Sequence, residues 1–317
     1  MTHANPAARV VADAASAARE LRSLRDLLRW TVSRFEAAQL AYGHGTDNAW
    51  DEAVSLLLFS LHLPPDRLDP YLDARLTRGE RDAAIALIER RVSTRLPAPY
   101  LTGEAWLRGL RFLCDERALV PRSPIAEALD EALVHWIAVH RADAAFEPDS
   151  ILDLCTGGGS LAICAAHVFA RADVVGADVS EAALALAASN GALHGLDERI
   201  EWVRSDLFGS LGAHRFALIV CNPPYVNEAS MRALPREFRA EPRSALAGGP
   251  DGMDLARRIV AHAHAHLADD GLLLLEIGHE AAHFEAAFPT LEFHYLPVAA
   301  GDQLLVLIEA AALPSPA

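Results

Sequence analysis

The sequence predicts an α/β protein in which a small helical domain precedes a parallel sheet that is covered by helices on both faces. Up to about residue 95, leucine, isoleucine and valine recur at helical spacing without strand-like alternation. From residue 150 onward, short apolar runs alternate with helical patterns. Such continuous apolar strands are typical of parallel sheets that are buried on both faces. The length of 317 residues is enough for about two domains.

Helical spacing of apolar residues defines the predicted N-terminal domain, residues 1–96. The positions with this spacing are Leu21, Leu24, Leu28 and Val32, and later Ile85, Ile88 and Val92. Residues 43–47 are expected to interrupt the first helix, and Pro64-Pro65 is expected to end the next one. This composition indicates a helical domain that is not itself catalytic.

A change of pattern predicts a β-hairpin linker at residues 97–122. Residues 100–103 and 112–115 read as its two arms, on either side of a turn near Gly109. A helix is then predicted over residues 124–140, because prolines introduce a run of helical character. The linker therefore separates the helical domain from the sheet domain.

Residues 123–311 are predicted to form the sheet domain. Its predicted strands are residues 151–155, 174–177, 200–203, 216–221, 272–277 and 304–308, and helices are predicted at residues 161–169 and 182–193. Ligands bind beyond the carboxyl ends of the strands in sheets of this kind. The last residues, 312–317, are rich in proline and alanine and are predicted to be a disordered tail.

A glycine-rich turn directly after the first predicted strand is the first candidate ligand site. Its candidate residues are Asp153, Cys155, Thr156, Gly157, Gly158 and Gly159. Gly157 and Gly159 allow a tight turn and a close approach to a ligand, and the following helix offers free N–H groups at its amino end. The spacing does not fit G-x-G-x-x-G, because no glycine follows within residues 160–162. An ordinary tight turn is the alternative.

Asp178 is expected to bind the ribose of a nucleotide-like ligand, with Val179 beside it. It ends the second predicted strand about 20 residues after Gly157, the separation at which a carboxylate accepts both ribose hydroxyls. This spacing alone does not separate NAD from S-adenosylmethionine.

Asp206 follows the third predicted strand and is the candidate acceptor for an adenine amino group. Leu207 or Phe208 would then lie against the adenine ring. A helix cap is the alternative, because serine and aspartate are preferred at that position.

The tetrapeptide Asn222-Pro223-Pro224-Tyr225 follows the fourth predicted strand and carries the chemical prediction. The Asn222 side-chain oxygen and the Pro223 carbonyl can accept both hydrogens of a flat NH2 group, in a slot that the fixed φ of proline stiffens. Tyr225 is expected to stack on that group and to favour a sulfonium cation nearby. With the glycine turn, the tetrapeptide predicts metal-free methyl transfer from S-adenosylmethionine to a planar nitrogen, with orientation contributing most of the rate. A simple turn is the alternative.

Three features make the chain resemble the HemK-like family of protein-glutamine N5-methyltransferases. The tetrapeptide and the loop 153–159 are similar to the whole family. Residues 119–125 (Leu-Val-Pro-Arg-Ser-Pro-Ile) and residues 42–53 resemble the PrmB branch, which methylates the large-subunit ribosomal protein L-three. The release-factor branch usually has an acidic residue and threonine after Val-Pro-Arg-Pro.

The resemblance extends from about residue 27 to residue 307. It implies a class I S-adenosylmethionine-dependent methyltransferase with a Rossmann-like seven-stranded sheet, in which the helical domain docks the substrate. It also implies that Asn222 and Tyr225 lie at the acceptor, and that the glycine loop, Asp178 and Asp206 hold the cofactor. Gly158 departs from the family, which usually has serine or threonine there, but no required side chain is lost.

Composition indicates the class of partner. A net charge of −15 disfavours a stable nucleic-acid partner and favours a basic protein such as L-three. No membrane span and no secretory signal are expected, since long apolar runs and a basic start are missing. Four cysteines without zinc spacing indicate reduced thiols and a cytoplasmic location. The histidine run at residues 262–266 is not expected to bind a metal, because only His262 and His266 share a helix face and no carboxylate or cysteine completes a ligand set. The assembly state stays open between monomer and homodimer.

Three other functions remain open at this point. The first is glutamine methylation of a peptide chain release factor, which residues 119–125 disfavour. The second is N6-adenine methylation of nucleic acid, which uses a similar tetrapeptide but would need a basic groove. The third is a binding module that has lost catalysis, which the intact motifs disfavour.

Overall fold

The computed structural model describes residues 11–141 and 147–314, which divide into two compact units. The helical unit comprises the described part of Met1–Gly103 together with Pro235–Ala240. The sheet unit comprises the described parts of Glu104–Leu234 and Glu241–Ala317. The domain boundaries and the docking role given above stay predictions, and nothing in the sequence indicated that residues 235–240 would group with the helices.

The helical unit contains helices with well-formed amino ends and a leucine-rich core. Its helices are α1 (Ala14–Glu20), α2 (Leu24–Ala38), α3 (Ala49–Ser60), α4 (Arg78–Thr94) and α5 (Ala98–Thr102). Ser23 and Thr77 begin α2 and α4 with capping boxes, in which side chain and backbone satisfy each other's hydrogen bonds. Trp30 and Phe35 of α2 are fully buried in the core. The expected interruption at residues 43–47 lies between α2 and α3 and is confirmed.

A buried ion cluster fixes the segment Pro235–Ala240 within the helical unit. The Arg91 guanidinium is fully buried and donates to Glu52 at 2.7 Å. Glu237, from the segment, accepts from Arg95 at 3.0 Å and from the Ala41 N–H at 3.2 Å. Removal of one partner would leave a buried charge uncompensated, which is costly. The segment is therefore part of this unit's interior.

The sheet unit is a seven-stranded, mostly parallel sheet with flanking helices and a separate hairpin. The hairpin pairs β1 (Glu104–Leu107) with β2 (Leu110–Leu113). The sheet strands are β3 (Ser150–Leu154), β4 (Asp173–Asp178), β5 (Ile200–Arg204), β6 (Phe216–Cys221), β7 (Leu267–Glu276), β8 (His294–Tyr295) and β9 (Leu305–Glu309). The helices are α6 (Ile125–Ala128), α7 (Ala132–His140), α8 (Ser160–Val168), α9 (Glu181–Leu193), α10 (Glu228–Ala233), α11 (Asp254–His266) and α12 (Ala281–Ala287).

Strand order places the candidate site. The order is β5-β4-β3-β6-β7-β9-β8, with β3 to β7 parallel and β9 antiparallel to both of its neighbours. Successive residues of β3 pack alternately into the two apolar layers, as Ile151 and Leu152 do. The predicted sheet buried on both faces is confirmed. The chain leaves β3 toward β4 on one side, while β6 lies on the other, so a crevice opens at their carboxyl ends.

Four local expectations differ from the structure. Residues 100–103 end α5 instead of forming a hairpin arm, because Pro97 and Pro99 open a helical turn that Gly103 closes. The helix expected over residues 124–140 is split into α6 and α7. The two-residue β8 was not predicted. Leu313, placed in the expected disordered tail, is buried and packs in the core, while residues 315–317 lie outside the described residues.

None of the described helices combines the length and apolarity that crossing a bilayer requires.

Candidate active site

A cavity of about 450 Å³ lies in the sheet unit at the carboxyl ends of the parallel strands. Its lining includes candidate residues from each predicted segment: Cys155, Thr156, Gly157, Gly158, Asp178, Val179, Asp206, Leu207, Asn222 and Pro224. The volume is within the range of about 300–1,000 Å³ that small-molecule sites occupy. The structure therefore brings the glycine turn and the tetrapeptide to one cavity.

Left-handed backbone shapes the glycine turn. Gly157 has φ +55° and Gly159 has φ +82°, backbone conformations that are strained in residues with a side chain. Cys155 adopts φ +61° despite its side chain. Gly157 and Gly158 line the cavity. Gly159 does not line the cavity. It packs against the Trp202 ring, and a Cβ at this position would stand 2.7 Å from that ring. Gly159 thus seats the loop instead of contacting a ligand.

Asp153 supports the glycine turn from below and is not part of the cavity wall. Its carboxylate is fully buried, and one oxygen accepts from the Thr156 hydroxyl at 2.5 Å and from the Ala162 N–H at 2.9 Å. The other oxygen has no hydrogen-bond partner among the described residues. Burial raises the pKa of Asp153 to about 7, against the lowering effect of these hydrogen bonds. The direct ligand contact expected of Asp153 is therefore not seen in the lining.

Asp178 is held in place by the backbone of the turn. One of its carboxylate oxygens accepts from the Gly157 N–H at 2.9 Å, and the other accepts from the Ser180 N–H at 2.8 Å. Each carboxylate oxygen has a second lone pair. The side chain lines the cavity next to the exposed Val179, so it has acceptor capacity left for hydroxyl groups of a ligand.

The segment after β5 divides between cavity and core. Asp206 and Leu207 line the cavity, but both Asp206 oxygens lie 3.0 Å from the Arg258 guanidinium in an exposed ion pair. Phe208 does not line the cavity: it is buried and stacks on His266 with ring centroids 4.7 Å apart. Of the two apolar side chains expected at an adenine ring, only Leu207 is placed for it.

Two of the four residues of the tetrapeptide line the cavity. Asn222 and Pro224 line the wall, whereas Pro223 and Tyr225 are absent from it. Tyr225 is packed against Gly278, whose φ is +53° and where a Cβ would meet the tyrosine ring. One edge of the partly buried Tyr225 ring therefore packs against backbone, and the stacking role expected of this ring stays a prediction.

Buried hydrogen bonds anchor the Tyr225 side chain. Its hydroxyl donates to Glu276 Oε1 at 2.9 Å, and the Ser123 hydroxyl donates to Glu276 Oε2. Burial raises the pKa of Tyr225 well above its ordinary value, and the Glu276 charge adds to the effect. Burial also raises the pKa of Glu276, which the two hydroxyl donors and Arg122 oppose. Tyr225 is thus a neutral hydrogen-bond donor with a fixed ring.

Carboxylates also hold the segment 120–123, which forms another wall of the cavity. Glu241 accepts twice from the Arg122 guanidinium, at 2.7 Å each, and once from the Val120 N–H at 3.0 Å. The sequence analysis assigned no role to Glu241, Glu276 or Ser123. A signal existed for Glu276, because it ends an apolar strand as Asp178 does, and for Ser123, because it lies in the segment 119–125 that carried the resemblance.

Comparison with known proteins gives concordant results. Residues 132–250 match the family model described as methyltransferase small domain. The chain is 57% identical to the ribosomal protein uL3 glutamine methyltransferase of Bordetella pertussis, over 91% of this chain and 95% of the relative. It is 51% identical to the protein of that name from Burkholderia pseudomallei, over 93% and 96%, and 47% identical to that of Neisseria gonorrhoeae, over 92% and 96%.

Proposed function

From the premise that this chain belongs to the family of ribosomal protein uL3 glutamine methyltransferases, we propose which atom it methylates and with which residues. The protein is an S-adenosylmethionine-dependent methyltransferase with a class I fold. Its acceptor is the side-chain nitrogen N5 of a glutamine in ribosomal protein uL3, the large-subunit protein L-three. The observation that carries the proposal is that Asn222 lines the same cavity as the glycine turn and Asp178.

The residues around this cavity fit S-adenosylmethionine. Asp178 has free lone pairs for two ribose hydroxyls, and Gly157 and Gly158 leave backbone without side chains at the wall. Leu207 offers an apolar surface for the adenine ring. Bound there, S-adenosylmethionine supplies an electrophilic methyl group on a sulfonium centre.

At the acceptor, the contribution of the chain is orientation. A carboxamide nitrogen is a weak nucleophile because its lone pair is delocalised into the carbonyl. Asn222 Oδ1 accepts one N–H of the glutamine amide and so fixes the direction of its nitrogen, a geometric effect that can contribute several orders of magnitude to the rate. The Pro223 carbonyl is the proposed second acceptor, and the two prolines keep the strand exit rigid.

Methylation of purified uL3 with radiolabelled S-adenosylmethionine tests the proposal. We expect the wild type to label uL3 on one glutamine-containing fragment. Asn222→Ala should lose at least about a hundredfold in kcat, because the amide is no longer oriented. S-adenosylmethionine binding and thermal stability of the variant serve as folding controls. Full activity of Asn222→Ala would refute the site.

A parallel assay distinguishes the substrate. The same preparations are offered purified uL3 and a purified peptide chain release factor. Exclusive labelling of the release factor would overturn the choice of uL3, although the site and the chemistry would stand.

The proposal extends to partner and location. We propose a basic ribosomal protein as the partner, with no stable nucleic-acid partner, because the chain carries a net charge of −15. A cytoplasmic location follows from a ribosomal substrate. The helical unit is proposed to dock that substrate, and the choice between monomer and homodimer is left to measurement of the mass in solution.

A further inference from the structure

We infer that Glu276 is a positioning residue for the acceptor slot: through Tyr225 and Ser123 it holds the tetrapeptide and the cavity-lining segment 120–123 at a fixed separation. The inference rests on the proposed function, because the slot is the one that would orient the glutamine amide. Glu276 itself does not line the cavity. It acts through the groups that it binds.

The position of Glu276 follows from the sheet register. Cys221 at the end of β6 pairs with Leu275 of β7, so the next residues, Asn222 and Glu276, leave the sheet side by side. Asn222 turns to the cavity, and Glu276 is buried. A carboxylate is thereby placed on the neighbouring strand, next to the residue proposed to bind the acceptor.

The two oxygens of Glu276 bind two different segments. Oε1 accepts from the Tyr225 hydroxyl at 2.9 Å, and Oε2 accepts from the Ser123 hydroxyl. Tyr225 belongs to the tetrapeptide, and Ser123 lines the cavity in the segment after the hairpin. One side chain therefore connects both walls.

A buried carboxylate at this position requires a reason beyond packing. Burial raises its pKa and thus disfavours its charge. Its two oxygens nevertheless accept from two hydroxyl donors on different segments, and these hydrogen bonds offset part of the cost of burying the group. The Glu276 carboxyl group loses its contact with water, and its two hydrogen bonds make the acceptor slot more rigid.

Ser123 is held from both directions, which makes the connection stiff. The segment that it ends is fixed by Glu241 through Arg122 and the Val120 N–H. Ser123 also accepts from the Ile125 N–H at 3.2 Å, at the start of α6. Displacement of Glu276 is therefore transmitted to Tyr225 more readily than to this braced segment.

The test compares Glu276→Gln with Glu285→Gln. Glu285 accepts from the Tyr295 hydroxyl at the same distance of 2.9 Å, but that pair is exposed and lies away from the cavity lining. In Glu276→Gln, an NH2 group, which donates hydrogen bonds, replaces one of the two acceptor oxygens. We expect kcat for uL3 to fall about tenfold, with the KM for uL3 and the dissociation constant of S-adenosylmethionine changed less than about twofold. Glu285→Gln should match the wild type in all of these measurements.

A double-mutant cycle and hydrogen exchange complete the test. Tyr225→Phe removes the same hydrogen bond, so the double variant Tyr225→Phe/Glu276→Gln should lose less than the product of the two single losses. Amide exchange in the full chain should become faster over residues 222–228 in Glu276→Gln and stay unchanged in Glu285→Gln. Multiplicative losses, or kcat and exchange equal to those of Glu285→Gln, would overturn the inference.

The exchange measurement separates this inference from the proposed function. If the wild type fails to label uL3 but exchange over residues 222–228 responds to Glu276→Gln alone, the substrate is wrong and the positioning role stands. If the wild type labels uL3 but Glu276→Gln changes neither exchange nor kcat, the proposed function stands and the positioning role of Glu276 is wrong.

Discussion

At the scale of single residues, Asp178 is the side chain on which we expect cofactor affinity to depend most. Its two oxygens are already oriented by backbone N–H groups of the turn, so ligand binding requires little further ordering. Asp178→Asn replaces one acceptor oxygen with a donor. We expect the dissociation constant of S-adenosylmethionine to rise at least about tenfold, as measured by calorimetry.

Asp206→Asn provides the comparison for that measurement, because Asp206 is the other carboxylate expected at the cofactor. Asp206 also lines the cavity, but it is exposed and paired with Arg258. Its replacement should change the dissociation constant less than about threefold. A larger effect of Asp206→Asn than of Asp178→Asn would contradict the expectation that cofactor affinity depends most on Asp178.

Asp153 is expected to make stability depend on pH. Burial raises its pKa from the ordinary 3.8 to about 7, so between these values the folded chain keeps a proton that the unfolded chain loses. This contribution to stability is complete below pH 4 and is lost as the pH rises through 7. Relative to Asp153→Asn, the wild-type free energy of unfolding should therefore fall by about 3 kcal/mol between pH 5 and pH 8.

Urea denaturation at the two pH values measures the Asp153 effect. Asp149→Asn, at an exposed carboxylate just before β3, provides the control. A difference between wild type and Asp153→Asn that is the same at pH 5 and pH 8 would contradict the raised pKa.

The sequence predicted which residues at strand ends line the cavity, but it did not predict the distant residues that these segments contact. Asn222 and Asp178 were predicted because parallel strands deliver their carboxyl ends to one edge, and both line the cavity. The contacts of Tyr225 with Gly278 and Glu276 were not predicted, because both partners lie more than fifty residues later in the chain. Contacts between distant segments have no local signal.

At the scale of elements, Trp202 of β5 holds the glycine turn from behind. Its ring occupies a slot without Cβ atoms, formed by Gly159, Gly176 and Gly191. Trp202→Ala would leave a void beneath the turn. We expect the free energy of unfolding to fall by about 2 kcal/mol, since the ring is only partly buried. S-adenosylmethionine should bind about tenfold more weakly, while kcat at saturation is nearly unchanged.

Trp106→Ala is the control for Trp202. Trp106 lies on the hairpin strand β1 and is 45% exposed. Its loss should leave both stability and cofactor binding close to wild type. Unchanged cofactor affinity in Trp202→Ala would show that the turn keeps its shape without the ring.

Elements were predictable where their pattern is long and local. The apolar runs predicted β3 to β6 within about a residue, and Phe216–Cys221 was predicted with its observed bounds. Residues 100–103 were misassigned, because aromatic and β-branched residues favour a strand while two nearby prolines begin a helical turn. The two-residue β8 exists only through its pairing with β9, so the seven-strand count came from the resemblance and not from periodicity.

At the scale of the whole molecule, the charge is distributed unevenly between two parts of the sequence. Residues 1–103 carry 13 carboxylates and 13 arginines. Residues 104–317 carry 30 carboxylates and 15 arginines, which accounts for the whole net charge of −15. The part of the chain that contains the cavity would therefore attract a basic protein, while residues 1–103 would contribute little at long range.

This distribution predicts how methylation should respond to salt. Attraction between opposite charges accelerates encounter and is screened once the Debye length falls to about 10 Å, near 0.1 M salt. For uL3, kcat/KM should therefore fall about tenfold between 20 and 300 mM salt, whereas kcat, which starts from the bound complex, should change less than about twofold. Steady-state kinetics at several salt concentrations measure both constants. An uncharged peptide containing the acceptor glutamine is the control, and its kcat/KM should stay flat. If kcat/KM for uL3 were equally flat, recognition would depend on short-range contacts alone.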